Sequence, residues 1–492
     1  MLRILGSPRT ACDGMTRRDL LHLGGLGLFG VGVADLFRLQ DAQAAGGRDS
    51  HFGRARSCIL IHLFGAHAQH ETFDPKPDAP AEIQGELKAI ATSVPGVSIG
   101  EGLPRIARVM DRLTVVRSLT HPWPFHGVHY ALSGIPTISQ TVEADPTDRS
   151  LWPFIGSVVD YVEAGRANSA PAMPQNIALP FRLYSRANFR LLGGPYAGFL
   201  GSRFDPIWTE FAGRGTRAVP NPTAKPDVFD PYGGIRAEDG IDLTGPIPTD
   251  LSPQRVGLRR SLLQQLDQSR SWLDGQDRVQ AFGRHQELAY ALLTSPRLAR
   301  ALDIHQESEA VRTRYGMTLF GQSLLAARRL VEGGGRFVTV FWDAYGDATG
   351  GWDTHYYHYP RLKELLLPGL DEAFSALILD LEARGLLDET LVLVLSEHGR
   401  TPRLTNRPGG GREHWSSAYC GVLAGGGAAR GGIVGRSDGS GGQVADTPVS
   451  PKDILATALH LLGVDPHMMV PDRLNRPVPV AGDGLVRPEI LG

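Results

Sequence analysis

The chain has 492 residues, 42% of them hydrophobic and 21% charged. This length rules out one small domain and suits a large α/β domain with insertions and a sizeable core. A net charge of −2 gives no electrostatic reason to expect nucleic acid as a partner, and 60 Gly with 35 Pro imply many loops and turns.

The N-terminus reads as a targeting segment. Thr16-Arg17-Arg18-Asp19-Leu20-Leu21 places paired arginines before an apolar, Gly-rich run, Leu20–Val33, and Ala42-Gln43-Ala44 offers a small-x-small cleavage site. Residues 1–44 therefore resemble a bacterial twin-arginine export signal, with Met15 a candidate true start. The expected location is periplasmic or otherwise extracytoplasmic, with the twin-arginine export machinery as a partner. No other uninterrupted apolar run is long enough to span a bilayer, so no stable membrane span is expected after cleavage. Cys58 and Cys420 lie inside apolar runs and are expected to be buried in strands; neither belongs to a zinc-type Cys pair.

Ser57–Phe64 reads as the first core strand, followed by a polar loop, Gly65–Pro80. Arg105–Arg112 is a short helix and Leu113–Ser118 a second strand. Residues 121–135 form a His-rich loop leading into a helix, and residues 136–255 read as irregular insertion loops over the sheet. Residues 256–331 are helical by composition and period, ending at Gly333–Gly335. Arg336–Trp342 is a strand, Pro360–Arg384 an amphipathic helix closed by Gly385, and Leu391–Leu395 a buried parallel strand. Ala418–Ala424 is a further strand. Ser450-Pro451-Lys452-Asp453 has the form of a helix start: Ser as N-cap, Pro in the first turn, Asp three residues on. Strands alternating with helices predict an α/β fold, a mainly parallel sheet with helices on both faces.

Four polar clusters follow apolar runs: His67, His70, Glu71 and Asp74; His121, His126 and His129; Asp343, Asp347, Asp353 and His355; and Glu397-His398 with Glu413-His414. In open α/β sheets, ligands bind beyond the carboxyl ends of the strands. Imidazole and carboxylate donors placed there suit divalent metals. Gly409-Gly410-Gly411 and Gly425-Gly426-Gly427 lack a GxGxxG context and read as turns, not a dinucleotide site.

These clusters, in this order, resemble the alkaline-phosphatase-like superfamily, which includes the sulfatases. The phrase Asp388–Gly399, DETLVLVLSEHG, is similar to the sulfatase pattern nTLVVVTSDHG, with Glu397 in place of Asp. Leu132-Ser133-Gly134 resembles the helix that follows the nucleophile. A closer resemblance covers nearly the whole mature chain: the bacterial domain-of-unknown-function 1501 family. It rests on TFDPKPDAPAEIQGELKAIATSVPGVSIGEGLPRIA, GGWDTH, LVLVLSEHGRTP and GREHW. Two departures stand out. The family's GGPSxxD has Ala68 for Ser and Glu71 for Asp, and its EFGRTP has His398 for Phe.

The resemblance implies an alkaline-phosphatase-like fold over residues 51–492 and divalent ions (zinc, manganese, calcium or iron) held by Glu71, Asp353, His355, Glu397, His398 and His414. His126 is expected to be a base, a nucleophile or a further ligand, and Arg400 to bind the anionic group bidentately. The nucleophile is the main departure. The slot before the Ser133-Gly134 helix falls near Pro124–His126, which holds no hydroxyl, and Thr120 lies too far toward the N-terminus. Without an activated nucleophile a covalent ester mechanism fails, while direct attack by metal-activated water remains open. The expected function is metal-dependent hydrolysis of a small phosphate or sulfate ester, or of a sulfated or phosphorylated glycan. The alternative is a non-catalytic exported binding or scaffold protein on a degenerate form of the fold.

Overall fold

The computed structural model of the chain describes residues 51–135, 145, 148–166, 173–186, 194–219, 228–243, 295–346 and 351–492. The export signal, the helical stretch expected at 256–294 and Asp347 lie outside the described residues.

A nine-stranded sheet organises the molecule. Its strands in chain order are β1 (Ser57–Leu63), β2 (Leu113–Leu119), β3 (Asn176–Leu179), β4 (Ile207–Ala212), β5 (Gly240–Leu243), β6 (Phe337–Trp342), β7 (Thr390–Leu395), β8 (Tyr419–Ala424) and β9 (Gly432–Val434). Their spatial order is β9-β2-β8-β7-β1-β6-β3-β4-β5. The middle strands β7, β1, β6, β3 and β4 run parallel, as the continuous Val, Leu and Ile runs predict. β8 runs antiparallel to both neighbours and β5 antiparallel to β4, so the sheet is mixed.

Alternation along β1 sends Ile59, Ile61 and Leu63 into one core and Cys58, Leu60 and Phe64 into the other. The first core is covered by α3 (Leu319–Glu332) and α4 (Leu367–Ala383). The second is covered by α1 (Val128–Ser133), α2 (Ile155–Arg166) and α5 (Pro451–Leu461). α5 begins with the expected capping box: Ser450 accepts from the Asp453 N–H and Asp453 accepts from the Ser450 N–H. Cys58 and Cys420 are buried, unpaired, in β1 and β8.

The expectation that residues 136–255 are loops over the sheet needs correction. Within that stretch α2 covers one face, and β3, β4 and β5 extend the sheet beyond β6. Their runs are only four to six residues long, and Pro, Gly and aromatic residues between them mask the period.

Candidate metal centre

β1, β6 and β7 are parallel and in register: His62 pairs with Phe341 and with Leu395, and Leu63 with Trp342. Their carboxyl ends therefore reach one edge together, and the segments beyond them, Gly65, Asp343 and Glu397-His398, share that edge. The chain after β6 returns at Asp353 and His355. After β7 it forms a small hairpin, Gly399–Arg400 paired with Trp415 and His414. The hairpin brings His414 back over His398, with ring centroids 4.4 Å apart. Gly65 permits this closure. Its φ is +95°, and a Cβ there would lie 2.2 Å from the Asp353 backbone nitrogen.

Five of the residues singled out in the sequence as ligands, together with His126, meet here. His355 Nε2 is 3.0 Å from Asp353 Oδ1 and 3.0 Å from His414 Nε2. His414 Nε2 is 3.2 Å from Asp353 Oδ1, and His126 Nε2 is 3.5 Å from Asp353 Oδ2. Potential ligand atoms of His126, His398 and His414 lie within 4.8 Å of one another, as do those of Asp353, His355 and His414. Glu397 forms the floor. Its Oε1 accepts from the Gly65 N–H at 2.8 Å and meets His126 Nδ1 at 2.7 Å, and its Oε2 lies 3.4 Å from His62 Nε2. Glu397 and His398 are fully buried, whereas the His126, Asp353, His355 and His414 side chains are 20–27% exposed. The cluster thus has a dry floor and a rim open to solvent.

Electrostatics follow from this arrangement. Burial alone would raise Glu397 and Asp353, but hydrogen bonds and nearby positive charge win. Glu397 is held well below the usual range by His126 and His62, and Asp353 by Arg400, His126, His355 and His414. Burial depresses His398 strongly and His414 as well. Burial also opposes protonation of His126, yet its carboxylate partners Asp353 and Glu397 hold it up at about 9.

Two of the expected site residues lie apart from the cluster's rim. Glu71 does not join the cluster. It is fully buried beneath it, paired with Arg412 Nη2 at 2.6 Å, and touched by Tyr359 Oη at 3.3 Å and His358 Nε2 at 3.5 Å. Arg400, expected to bind an anion, is fully engaged by the protein. Its guanidinium is fully buried and donates to the carbonyls of Gly65, Ala66 and Arg412 and to Asp353. The remaining cluster residues have other duties. His70 Nε2 contacts the Ser440 carbonyl at 2.8 Å, His121 Nε2 the Glu397 carbonyl at 2.8 Å, and His129 Nε2 the Trp152 carbonyl at 2.9 Å. His67 lies edge-on to Phe73 and Trp352. Asp343 accepts from the Tyr184 and Ala344 N–H groups, and burial pushes it up to about 7.

Sequence reasoning missed His62, His358 and Arg412. A polar residue inside an apolar strand, as His62 is in SCILIHLF, is the signal that could have found the first.

The residues present fit a divalent ion. His398 Nδ1 donates to the Gly399 carbonyl at 2.8 Å, so its Nε2 carries a lone pair. That Nε2 is buried and has no hydrogen-bond partner. A buried polar nitrogen left unpaired beside other imidazoles is costly unless a ligand completes it.

A family profile described as a protein of unknown function matches residues 55–491. The chain belongs to the DUF1501 family. No curated protein matches it in sequence. Several solved structures show similarity to it. One is a protein in the alkaline phosphatase superfamily from Vibrio parahaemolyticus, with a TM-score of 0.37, 10% identity, and coverage of 89% of this chain and 72% of that one. Another is the PsFucS1 sulfatase from Pseudoalteromonas sp., with a TM-score of 0.36, 11% identity, and coverage of 87% and 70%. A third is the phosphonate monoester hydrolase SpPMH from Silicibacter pomeroyi, with a TM-score of 0.35, 11% identity, and coverage of 88% and 75%.

Proposed function

We propose that this DUF1501 protein is a metal-dependent hydrolase of phosphate or sulfate esters that works outside the cytoplasm. The observation that carries the reading is the unpartnered, fully buried His398 Nε2 beside Asp353, His355 and His414 at a solvent-open strand edge. A divalent ion held by those residues would polarise an ester oxygen and stabilise the charge that develops on it.

The chain's own groups do the rest. Arg400 donates to the Asp353 carboxylate and Arg361 Nη1 to its backbone carbonyl at 2.9 Å, which fixes Asp353 from two sides. Phe64 stacks on His126 with centroids 5.1 Å apart, and Tyr184 stands edge-on to Phe64 at 4.7 Å. These rings wall one side of the cluster from water. Pro124–His126 offers no hydroxyl nucleophile, which favours direct attack by water over an esterified enzyme. The substrate class is a small anionic ester or a sulfated or phosphorylated glycan.

The test is a screen of aryl phosphate and aryl sulfate esters with metal-loaded protein. Turnover that chelation abolishes and metal restores is expected. The competing reading, a non-catalytic binding protein, draws on the same missing hydroxyl and predicts metal loading without turnover on any ester. Export is proposed to follow the twin-arginine route, and replacing Arg17 and Arg18 with Lys should leave precursor in the cytoplasm. Among the described residues no helix is long and apolar enough to cross a membrane.

A further inference from the structure

We infer that the centre is an imidazole cage in which Glu397 and Glu413 are outer partners rather than ligands, and that it selects a zinc-type transition ion over calcium or magnesium. This rests on the metal-dependent reading above and goes beyond it, because it assigns a role to each nitrogen and excludes two of the common ions.

The Nδ1 atoms of three rings are all held by acceptors. His126 Nδ1 meets the Glu397 carboxylate at 2.7 Å, His355 Nδ1 meets the Glu413 carboxylate, and His398 Nδ1 meets the Gly399 carbonyl at 2.8 Å. Each of these oxygens is an acceptor, so each Nδ1 keeps its proton, and each Nε2 offers its lone pair to an ion once His126 gives up the second proton that its carboxylate neighbours hold on it. Three rings from three separate segments are thus fixed in the same tautomer. Anchoring the outer nitrogen on a carboxylate or carbonyl is how metal-ligating histidines are commonly oriented.

The Nε2 atoms converge. His355 Nε2 and His414 Nε2 are 3.0 Å apart, and both lie 3.0–3.2 Å from Asp353 Oδ1. His126 Nε2 is 3.5 Å from Asp353 Oδ2. Neighbouring ligands around a tetrahedral ion with bonds of ~2.0–2.1 Å are separated by about 3.3 Å, so these spacings suit atoms that share a cation. Glu397, by contrast, gives one oxygen to the Gly65 N–H and His126 Nδ1 and turns the other toward His62 at 3.4 Å, and it is not among the residues whose donor atoms converge. Glu413 is backed by Arg407 Nη2 at 2.9 Å. The inner donors are then the imidazoles of His126, His355, His398 and His414 with one carboxylate, Asp353. Imidazole suits zinc, iron, nickel and copper. Calcium and magnesium need a shell of oxygens, which this site does not offer.

The experiment uses the purified mature protein, stripped by chelator and dialysed against Zn²⁺, Co²⁺ or Ca²⁺, with bound metal counted by elemental analysis. Zn²⁺ and Co²⁺ should bind, and a hundredfold excess of Ca²⁺ should not displace them. Glu397→Gln and Glu413→Gln should keep the wild-type metal stoichiometry and the Co²⁺ visible absorption bands. They should weaken affinity 10–100-fold, the usual scale for an outer partner. His398→Ala should lose metal and shift the bands. Should the buried Glu397→Gln fail to fold, Glu413→Gln at the rim tests the same claim. The inference is overturned if Ca²⁺ competes with Zn²⁺, if either Gln variant loses metal as His398→Ala does, or if neither changes affinity. Wild-type protein that binds no ion at all removes the hydrolase reading as well. Calcium binding removes the cage alone.

Discussion

Two buried polar groups lie near each other beyond the strand ends, and they are built oppositely. Around Glu71 the Arg412 guanidinium is fully spent, while Glu71 Oε2 and His358 Nε2 face each other at 3.5 Å. Arg412 donates to the carboxylate through Nε and Nη2 and to the carbonyls of Thr401, Pro402 and Ile83. Around Asp353 the imidazoles crowd together, and the His398 Nε2 has no partner. A carboxylate neutralised by a buried guanidinium reads as structure. A set with lone pairs pointing at one another reads as a place kept for something else. The difference separates a residue that holds the fold from one that holds a ligand, although both come from the same kind of motif.

Removing Arg412 should break the first region hardest. Arg412→Ala leaves the Glu71 carboxylate, held well below its usual range by Arg412 and His358 against burial, without its main partner. The expected loss is about 3–5 kcal/mol, the scale for stranding a buried charge, read by denaturant unfolding. Metal bound per folded molecule should not change. Equal stability of the variant would mean that Glu71 is not structural.

The second region should respond in the other sense. His126→Ala should lower turnover of any ester substrate on the order of a hundredfold, the scale for removing a positioned acid–base or ligand group. Thr120→Ala should retain most of it. An ester adduct mapped to Thr120, or full activity in the His126 variant, would reverse these roles. His398→Ala should leave the metal-free fold about as stable as wild type but abolish the stabilisation that added Zn²⁺ gives, since an ion stabilises only the state that binds it. A melting-temperature series with and without Zn²⁺ checks this.

The smallest effect separates the two regions by pH. His70 and His129 contact neither the Asp353 cluster nor its ligands, and burial lowers both from 6.5 to about 4. Between those values the unfolded chain binds more protons than the native one, so stability rises with pH there. Their contribution is fully present above pH 6.5 and is lost as pH falls through 4. Metal-free protein measured across that window should show the decline even in His398→Ala. A flat profile would mean these imidazoles are not buried neutral.

The sequence discloses the centre of the fold better than its edge. β1, β6 and β7 are unbroken apolar runs that end in polar residues, so both the strands and the place of Glu397-His398 were legible. β3 is only Asn176–Leu179, too short to show a period, and its role depends on pairing with β6 rather than on its own residues. Glu71 reads as a ligand in the sequence for a related reason. Its partner Arg412 is 341 positions away, and nothing in a local motif tells a carboxylate bound by a guanidinium from one bound by a metal. Arg400 follows the same logic, since its acceptors Gly65 and Ala66 lie more than 330 positions off. His62 was overlooked because a single imidazole in a strand has no pattern until β7 places Glu397 beside it.

The most direct measurement is elemental analysis of the purified, folded protein after chelation and reconstitution with Zn²⁺. One or two equivalents of bound ion are expected, and they should disappear together with the His398 side chain. A stable, folded wild-type protein that holds no divalent ion even after reconstitution would contradict it.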